Sequence, residues 1–168
     1  MDILEQIKKH FGEIEVLDTY IDDKTASKNF KDSLAIGRDS EEGVLGKIQK
    51  KYPKAHLIEG YCKECDIYVP ETDKKVEVKQ DKKSNYTGNI VVEIEFNGKP
   101  SALSTTKSDY WVFDDGEIYI WTTPDTLRQI VEPYKPARFI GNGDNKYKLA
   151  YLIKKDVIKS NALKVDKY

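Results

Sequence analysis

The stretch from Cys65 to Lys79, CDIYVPETDKKVEVK, constrains the fold more than any other part of the sequence. Two short segments rich in valine, isoleucine and tyrosine flank residues 70–73, PETD, whose types favour a tight reversal. The stretch therefore predicts two antiparallel strands joined by a turn. Because successive side chains of a strand alternate between faces, Glu77 and Lys79 share one face and Val78 points to the other.

The register of this hairpin decides which charges meet. Directly opposed residues of an antiparallel pair lie on one face, with Cβ atoms about 4.5–5.5 Å apart. A turn centred between residues 71 and 72 places Asp66 opposite Glu77, and a turn centred one residue later places it opposite Lys79. Either register gathers two carboxylates and one ammonium on one patch, whereas a one-residue slip would separate them. An exposed cross-strand salt bridge, a common and weak interaction, is the alternative interpretation of the same residues.

A helix is predicted ahead of the hairpin. Ser40 is a suitable N-cap for EEGVLGKIQKKYP, and Pro53 ends the helix. The apolar stripe of this helix consists of Val44, Leu45 and Ile48. At about 100° per residue, Glu41 lies within about 15° of the centre of that stripe. A carboxylate there either requires a cation or a partner, or is favoured in the first turn by the helix dipole, and both interpretations stay open.

The chain after the hairpin predicts alternating strands and helices. A polar loop, DKKSNYTG, precedes NIVVEIEF, a half-buried strand with Glu93 and Glu95 on a solvated face. The apolar face of that strand consists of Ile90, Val92, Ile94 and Phe96. Serines and threonines of SALSTT could cap a short helix before an aromatic strand, DYWVF. The later segments predict, in order, the strand EIYIW, a helix opening at Thr123-Pro124, the strands ARFIG and KYKLAYLI, and a closing helix KKDVIKSNALK. This order indicates an α/β fold with a central mixed β-sheet flanked by helices.

Composition and length limit the remaining possibilities. A chain of 168 residues without repeats or low-complexity linkers predicts a single domain, and a net charge of −1 gives no global case for nucleic acid. No apolar run approaches a membrane span and no signal-peptide pattern is present, which predicts a cytoplasmic protein. Cys62 and Cys65 form a CxxC, but no second cysteine pair exists, and His10 and His56 lack ligand spacing. Reduced thiols are therefore expected rather than a redox pair or a zinc site.

These features together resemble the PD-(D/E)xK, or restriction-endonuclease-like, nuclease superfamily. Its core is ordered helix-strand-strand-strand-helix-strand, with a glutamate on the first helix and Asp and (Asp/Glu)-x-Lys on the hairpin. Glu41, Asp66 and Glu77-Val78-Lys79 match that order, although Cys65 stands where a proline often precedes the aspartate. The segments TGNIVVEIEF, KPSALSTTKSDYWVF and LAYLI resemble small phage-type and virus-type members. The resemblance covers roughly residues 39–155 and leaves 1–38 as an N-terminal extension without an assigned role.

The resemblance implies a Mg²⁺-dependent deoxyribonuclease of viral character, located in the host cell interior. Asp66, Glu77 and the backbone carbonyl of Val78 would bind Mg²⁺, for which Mn²⁺ can substitute, and Lys79 would orient or activate the attacking water. Glu41 would bind a metal-linked water or a second cation. These residue types suit the chemistry, because Mg²⁺ prefers carboxylate and water oxygens and phosphodiester hydrolysis needs a nucleophilic water near neutral pH. Gln80 could touch the phosphate or the water, and Asp73, in the turn, is a poorer rival for the metal aspartate.

DNA is the expected partner, and no membrane is expected. The lysines flanking the hairpin face and the STTKSDYW segment could contact phosphates or could form a solvated face; they are Lys74, Lys75, Lys82, Lys83 and Lys107. Tyr86, Tyr110 and Trp111 could stack on bases, although aromatics beside apolar residues are more often core. The alternatives are a catalytically inactive nuclease-fold protein that binds DNA or assists assembly, and an unrelated α/β protein. A homodimer is left open.

Overall fold

The structure, a computed structural model, describes residues 39–59, 65–140 and 146–168. The predictions made for residues 1–38 and for Cys62 lie outside these ranges. The helices are α1 (39–49), α2 (Ser84–Thr87), α3 (Pro124–Val131) and α4 (Lys155–Ser160), with one 3₁₀ helix at Ala102–Ser104. The strands are β1 (His56–Leu57), β2 (Ile67–Val69), β3 (Lys74–Gln80), β4 (Asn89–Phe96), β5 (Lys99–Pro100), β6 (Tyr110–Asp114), β7 (Ile118–Thr122), β8 (Ala137–Ile140), β9 (Tyr147–Lys154) and β10 (Lys164–Lys167).

The first sheet has six strands in the order β1-β2-β3-β6-β7-β10. Strands β3 and β6 run parallel, and the other neighbouring pairs of this sheet run antiparallel. The sheet is therefore mixed, and helices pack on it, which confirms the predicted α/β class with a central mixed sheet flanked by helices.

The β2–β3 hairpin has the first of the two predicted registers. Ile67 pairs with Val76, which is the register in which Asp66, one residue before β2, would face Glu77. Asp66 itself lies in a bend outside the ladder, and its N–H donates to Val76 O. Asp73 in the turn has a positive φ of 53°, a conformation that aspartate tolerates better than most residues.

Helix α1 covers the face of the first sheet that carries the side chains of even-numbered β3 residues. Val44 and Ile48 pack with Val76 and Val112 in one buried cluster. The predicted N-cap is wrong, because Ser40 is already helical and buried, and its hydroxyl reaches across to the first sheet instead of bonding to the helix end.

The second sheet has the order β5-β4-β9-β8, with all pairs antiparallel. Strand β4 has the predicted bounds but lies in this sheet rather than beside the hairpin. Its Ile90 and Val92 pack against Trp111 and Phe113 of β6, so the two sheets share a core. Helices α3 and α4 close the same core. Strands β3 and β6 are parallel neighbours in the first sheet, and between them the chain forms β4 and β5 of the second sheet.

A β-bulge changes the outer half of β4. Glu93 pairs with Ala150 whereas Glu95 pairs with Leu149, so one extra residue interrupts the alternation. Ile94 still packs on the shared core, but Phe96 pairs with Lys148. The predicted common face of Ile90, Val92, Ile94 and Phe96 is therefore wrong at Phe96.

The C-terminal elements confirm one prediction and correct another. Helix α3 begins at Pro124 with Thr123 as N-cap, whose hydroxyl accepts a hydrogen bond from Thr126 N at 3.1 Å. The predicted closing helix ends at Ser160, and the chain continues as β10, an edge strand that pairs with β7. Within the described ranges no helix is long and apolar enough to cross a membrane.

Candidate functional site

The predicted site residues of β3 lie on the face directed toward the shared core. Glu77 pairs with Trp111 and Lys79 with Phe113 across the parallel ladder, and both aromatic residues belong to that core. Asp66, just before β2, accepts a bond from Val78 N through its carboxylate, and its negative charge helps to raise the pKa of Lys79. The fold thus brings Asp66, Glu77 and Lys79 together at the side of the first sheet that α1 does not cover.

Asp66 lies where the β2–β3 ladder ends. Its backbone N–H donates to Val76 O at 2.9 Å, and its carboxylate Oδ2 accepts from Val78 N at 2.7 Å. A side-chain oxygen thus replaces the next backbone acceptor that a longer β2 would provide. Since residues two apart present their backbone groups to the same neighbour, the Val78 carbonyl lies on the β2 edge of β3, beside the Asp66 carboxylate.

Lys79 lies among carboxylates. Its Nζ is 2.6 Å from Glu77 Oε1, and 36% of the Lys79 side chain and 16% of the Glu77 side chain are exposed. Burial by itself lowers the pKa of Lys79, but the charges of Glu77, Asp66 and Glu93 outweigh it, so the pKa is raised. The ammonium is protonated at neutral pH, and it also lies 5.1 Å from the centre of the Trp111 ring.

Thr106, which no sequence argument singled out, fixes the Glu77 carboxylate. Its hydroxyl donates to Glu77 Oε2 at 3.1 Å and accepts from Trp111 Nε1 at 3.1 Å and Ser108 N at 3.2 Å. The threonine comes from the segment predicted to supply caps for a short helix. The available sequence signal was that Thr106 lies just before the aromatic strand β6. Its bond to Glu77 could not be predicted, because that bond depends on the parallel pairing of β6 with β3.

Glu93 is a second residue that the sequence interpretation missed. The predicted solvated position is wrong, because Glu93 is half-buried and its Oε2 accepts from Ser101 Oγ at 2.8 Å. Its charge contributes to the raised pKa of Lys79. Alternation along β4 could not reveal this, since the contact depends on where the second sheet lies beside the first.

Gln80 and Glu41 lie on the α1 side. Gln80 Nε2 donates to Ser40 Oγ at 2.9 Å, and Ser40 Oγ donates to Asp114 Oδ2 at 2.7 Å. The Gln80 side chain is therefore held against α1, on the opposite face of β3 from Lys79. Glu41 is half-buried and follows Ser40 in α1. Because α1 covers the opposite face of the first sheet from Glu77 and Lys79, the structure does not place Glu41 beside them, and its role at the metal stays a prediction.

Two of the five predicted DNA-contacting lysines lie near Glu77. Lys75 shares a face of β3 with Glu77, and Lys107 is exposed and adjacent in sequence to Thr106.

The other three lysines lie elsewhere. The Lys74 side chain points to the opposite face of β3 from Glu77, and its Nζ lies 3.9 Å from Asp109 Oδ1. Lys82 packs beside Gly116 in the β6–β7 turn. The pKa of Lys83 is lowered, because burial outweighs the charge of Asp81, which by itself would raise the pKa.

The remaining candidates are also placed. Trp111 is 1% exposed and is therefore a core residue rather than a base-stacking one, whereas Tyr86 is 66% exposed. Tyr110 packs partly buried beneath α1. Asp73 Oδ1 accepts a 2.7 Å hydrogen bond from the Tyr68 hydroxyl within the hairpin. This bond holds Asp73, the rival candidate for the metal-binding aspartate, in the turn.

The donor set at the site has the chemistry that Mg²⁺ requires. Asp66 and Glu77 offer carboxylate oxygens and Val78 a carbonyl, and Mg²⁺ is usually held by one or two carboxylates with water and substrate oxygens completing the shell. Within the described part of the chain, no group of three or more His, Cys, Asp or Glu residues is arranged to hold a metal ion. Cys65 is buried beside β2, and its partner in the CxxC lies outside the described ranges.

Comparison of the chain with protein-family models, with curated proteins and with solved structures finds no match.

Proposed function

We propose that this protein is a Mg²⁺-dependent deoxyribonuclease with a PD-(D/E)xK-type site. The observation that supports the proposal best is that Glu77 and Lys79 share one face of β3 and contact each other, while the Asp66 carboxylate bonds to the backbone of Val78 between them. An unrelated salt-bridged hairpin would not need the Asp66 carboxylate at the point where the strands separate, beside the backbone of Val78.

Each residue has a distinct task in the proposed reaction. Asp66, Glu77 and the Val78 carbonyl would hold the cation, which would supply positive charge at the phosphate and an acidified water. Thr106 holds Glu77 Oε2, and the other oxygen, Oε1, contacts Lys79 here and would exchange that contact for the cation. Lys79, protonated at neutral pH, orients the attacking water and stabilises the negative charge that builds on the phosphate.

DNA reaches the site along the lysines beside Glu77, of which Lys107 is exposed and Lys75 is half-buried. Lys75 and Lys107 would contact the phosphate backbone as point charges that carry no sequence information. We therefore propose DNA recognition by the backbone at this position, with a strong dependence of affinity on salt.

The test is a cleavage assay on linear, nicked, branched and single-stranded DNA with Mg²⁺ or Mn²⁺. Wild type is expected to cleave at least one substrate, and Lys79→Ala is expected to lose at least about 100-fold in rate, the scale of a removed charge-stabilising group. Lys159→Ala, an exposed lysine on α4, is the matched control. Equal cleavage by wild type and Lys79→Ala would contradict the proposed mechanism.

A second candidate is an inactive nuclease-fold protein that binds DNA or assists assembly. The observation in its favour is the direct ion pair between Lys79 and Glu77, which occupies the oxygen that a cation would need. Binding of DNA without cleavage of any substrate, at any Mg²⁺ or Mn²⁺ concentration, would favour this candidate.

A further inference from the structure

We infer that segment 101–106, between β5 and β6, sets the geometry of the proposed site, with Thr106 positioning Glu77 and Ser101 positioning Glu93. The inference rests on the proposed function and extends it by two positioning residues and a third carboxylate. Neither hydroxyl touches the reacting atoms, so both act through the carboxylates they hold.

The hydrogen-bond pattern around Thr106 leaves its hydroxyl one orientation. A threonine hydroxyl has one donor and two acceptor positions. Trp111 Nε1 and Ser108 N are both obligate donors, and they occupy the acceptor positions. The hydroxyl proton must then point to Glu77 Oε2, which fixes one oxygen of the carboxylate. Since the Trp111 ring is buried in the shared core, this arrangement is anchored to that core.

Segment 101–106 is itself tied to β4. Ser101 N donates to Ile94 O at 3.0 Å, and Thr106 N donates to Ala102 O at 2.8 Å across the 3₁₀ turn. Ser101 Oγ then holds Glu93, which lies on β4 of the second sheet. One short segment thus contacts a carboxylate on each sheet and links their positions.

Segment 101–106 bonds Glu93 through Ser101 and bonds Glu77, the direct partner of Lys79, through Thr106, so it brings a second negative charge toward Lys79 from the second sheet. When a cation takes Glu77 Oε1, Lys79 loses its direct partner on its own strand. Glu93 then provides the counter-charge that keeps the ammonium at the site instead of turning to solvent. Glu93 is therefore a positioning residue for Lys79, whereas Asp66 and Glu77 bind the cation.

The inference that Thr106 positions Glu77 is tested by the Mn²⁺ affinity of the protein, measured by calorimetry. Thr106→Val keeps the shape and removes the hydroxyl, and we expect it to weaken Mn²⁺ binding about 10–100-fold, as loss of a bond to a metal ligand typically does. Thr106→Ser restores the hydroxyl and should stay within about 3-fold of wild type on the same scale. Thr105→Val, an exposed neighbour, is the matched control. Thr106→Ala provides the same test if the valine variant does not fold, as judged by urea unfolding.

The Glu93 arm is tested by steady-state cleavage at saturating Mn²⁺. Ser101→Ala and Glu93→Gln are expected to lower kcat about 10-fold, at the low end of the effect of outer-shell partners, with KM little changed. Ser104→Ala and Glu95→Gln are the matched controls.

Three outcomes are distinguishable. Weaker Mn²⁺ binding by Thr106→Val with recovery in Thr106→Ser supports the inference. If wild type binds Mn²⁺ and cleaves DNA, and the Mn²⁺ affinity of Thr106→Val and the kcat of Ser101→Ala and Glu93→Gln are unchanged, the inference is overturned and the proposed function stands. Absence of Mn²⁺ binding by wild type overturns the proposed function and the inference with it.

Discussion

Lys79 shows how single contacts decide what this site can do. An ammonium enclosed by carboxylates stays protonated, so it acts as a positive charge and a hydrogen-bond donor unless a bound cation changes its surroundings. The ion pair with Glu77 is expected to add little to folding, because both side chains keep some exposure to solvent and such pairs contribute about 0–1 kcal/mol. The value of these residues is therefore expected in binding and chemistry rather than in stability.

Glu77→Gln separates these two roles. The amide keeps an oxygen that Thr106 can bond, so we expect the free energy of unfolding to change by less than about 1 kcal/mol. Mn²⁺ affinity should fall at least about 10-fold, because a neutral oxygen replaces a charged ligand. Urea unfolding and calorimetry measure the two quantities, with Glu117→Gln as an exposed control. Unchanged affinity would show that Glu77 binds no metal.

A second charged pair is expected to matter for stability instead. Lys155 Nζ lies 2.8 Å from Asp115 Oδ2, with only 14% and 3% of the two side chains exposed. Asp115 also accepts backbone bonds from Glu117 and Ile118. Burial by itself raises the pKa of Asp115, but the bond from Lys155 and these backbone donors outweigh it, so the pKa is lowered. Lys155→Met, which leaves the carboxylate buried without its cation, should cost about 3 kcal/mol in urea unfolding.

The pH dependence of this pair has a defined sign. Because the folded-state pKa of Asp115 is lowered, its stabilisation is fully present above the unfolded value of about 3.9 and is lost as pH falls through the folded value. The difference in unfolding free energy between wild type and Asp115→Asn should therefore be larger at pH 6 than in strong acid. A difference that grows on acidification would contradict the assignment.

At the scale of elements, two glycines of α1 make opposite predictions. A Cβ on Gly46 would meet no atom within 4 Å, so Gly46→Ala should stabilise the helix by about 1 kcal/mol. A Cβ on Gly43 would overlap the hydroxyl of Tyr119, whose ring is buried and stacked on Tyr168. Gly43→Ala should therefore destabilise. Thermal unfolding measures both, and each 1 kcal/mol shifts Tm by about 2–4 °C for a chain of this size.

Local patterns predicted the elements better than their partners. The alternation in NIVVEIEF gave β4 its bounds and placed Ile90 and Val92 in the core, since period-2 burial is a local property. The sheet to which β4 belongs was not readable, because alternation shows which face is buried and not against what. The β-bulge that moves Phe96 to another face needs the pairing with β9, and β10, a polar edge strand with little alternation, gave no signal.

The candidate site divides in the same way, into residues grouped by local structure and residues brought in by long-range contacts. The grouping of Asp66, Glu77 and Lys79 was predictable because a hairpin is local and its register has few choices, whereas their role at a metal stays a prediction. Thr106 and Glu93 were not, since each reaches the site from a different part of the chain.

At the scale of the whole molecule, Tyr168 joins distant elements at the end of β6. Its hydroxyl donates to Asp114, which also accepts from Ser40 of α1 and from the backbone of Gly116. Burial and the bond to Asp114 raise the pKa of Tyr168. Tyr168→Phe keeps the ring stacking on Tyr119 and should cost about 1 kcal/mol, the contribution of one hydrogen bond.

The alkaline behaviour of Tyr168→Phe tests this contact. The stabilisation should be present below the unfolded pKa of tyrosine, about 10, and be lost as pH rises through the higher folded value. Urea midpoints of wild type and Tyr168→Phe should thus converge in strong alkali. Equal midpoints at neutral pH would show that the bond contributes nothing.

The parallel pairing of β3 with β6 has a consequence for the order of folding. The hairpin that carries Asp66 and Glu77 needs only a four-residue turn, residues 70–73, and can form early. The bond from Thr106 to Glu77 spans 29 residues, and β4 and β5 of the second sheet lie in that interval. The bond therefore carries a larger loop-closure cost and depends on long-range contacts. During refolding, the charged hairpin should therefore exist before its carboxylate is held, and the capacity to bind metal tightly should return later than the hairpin itself.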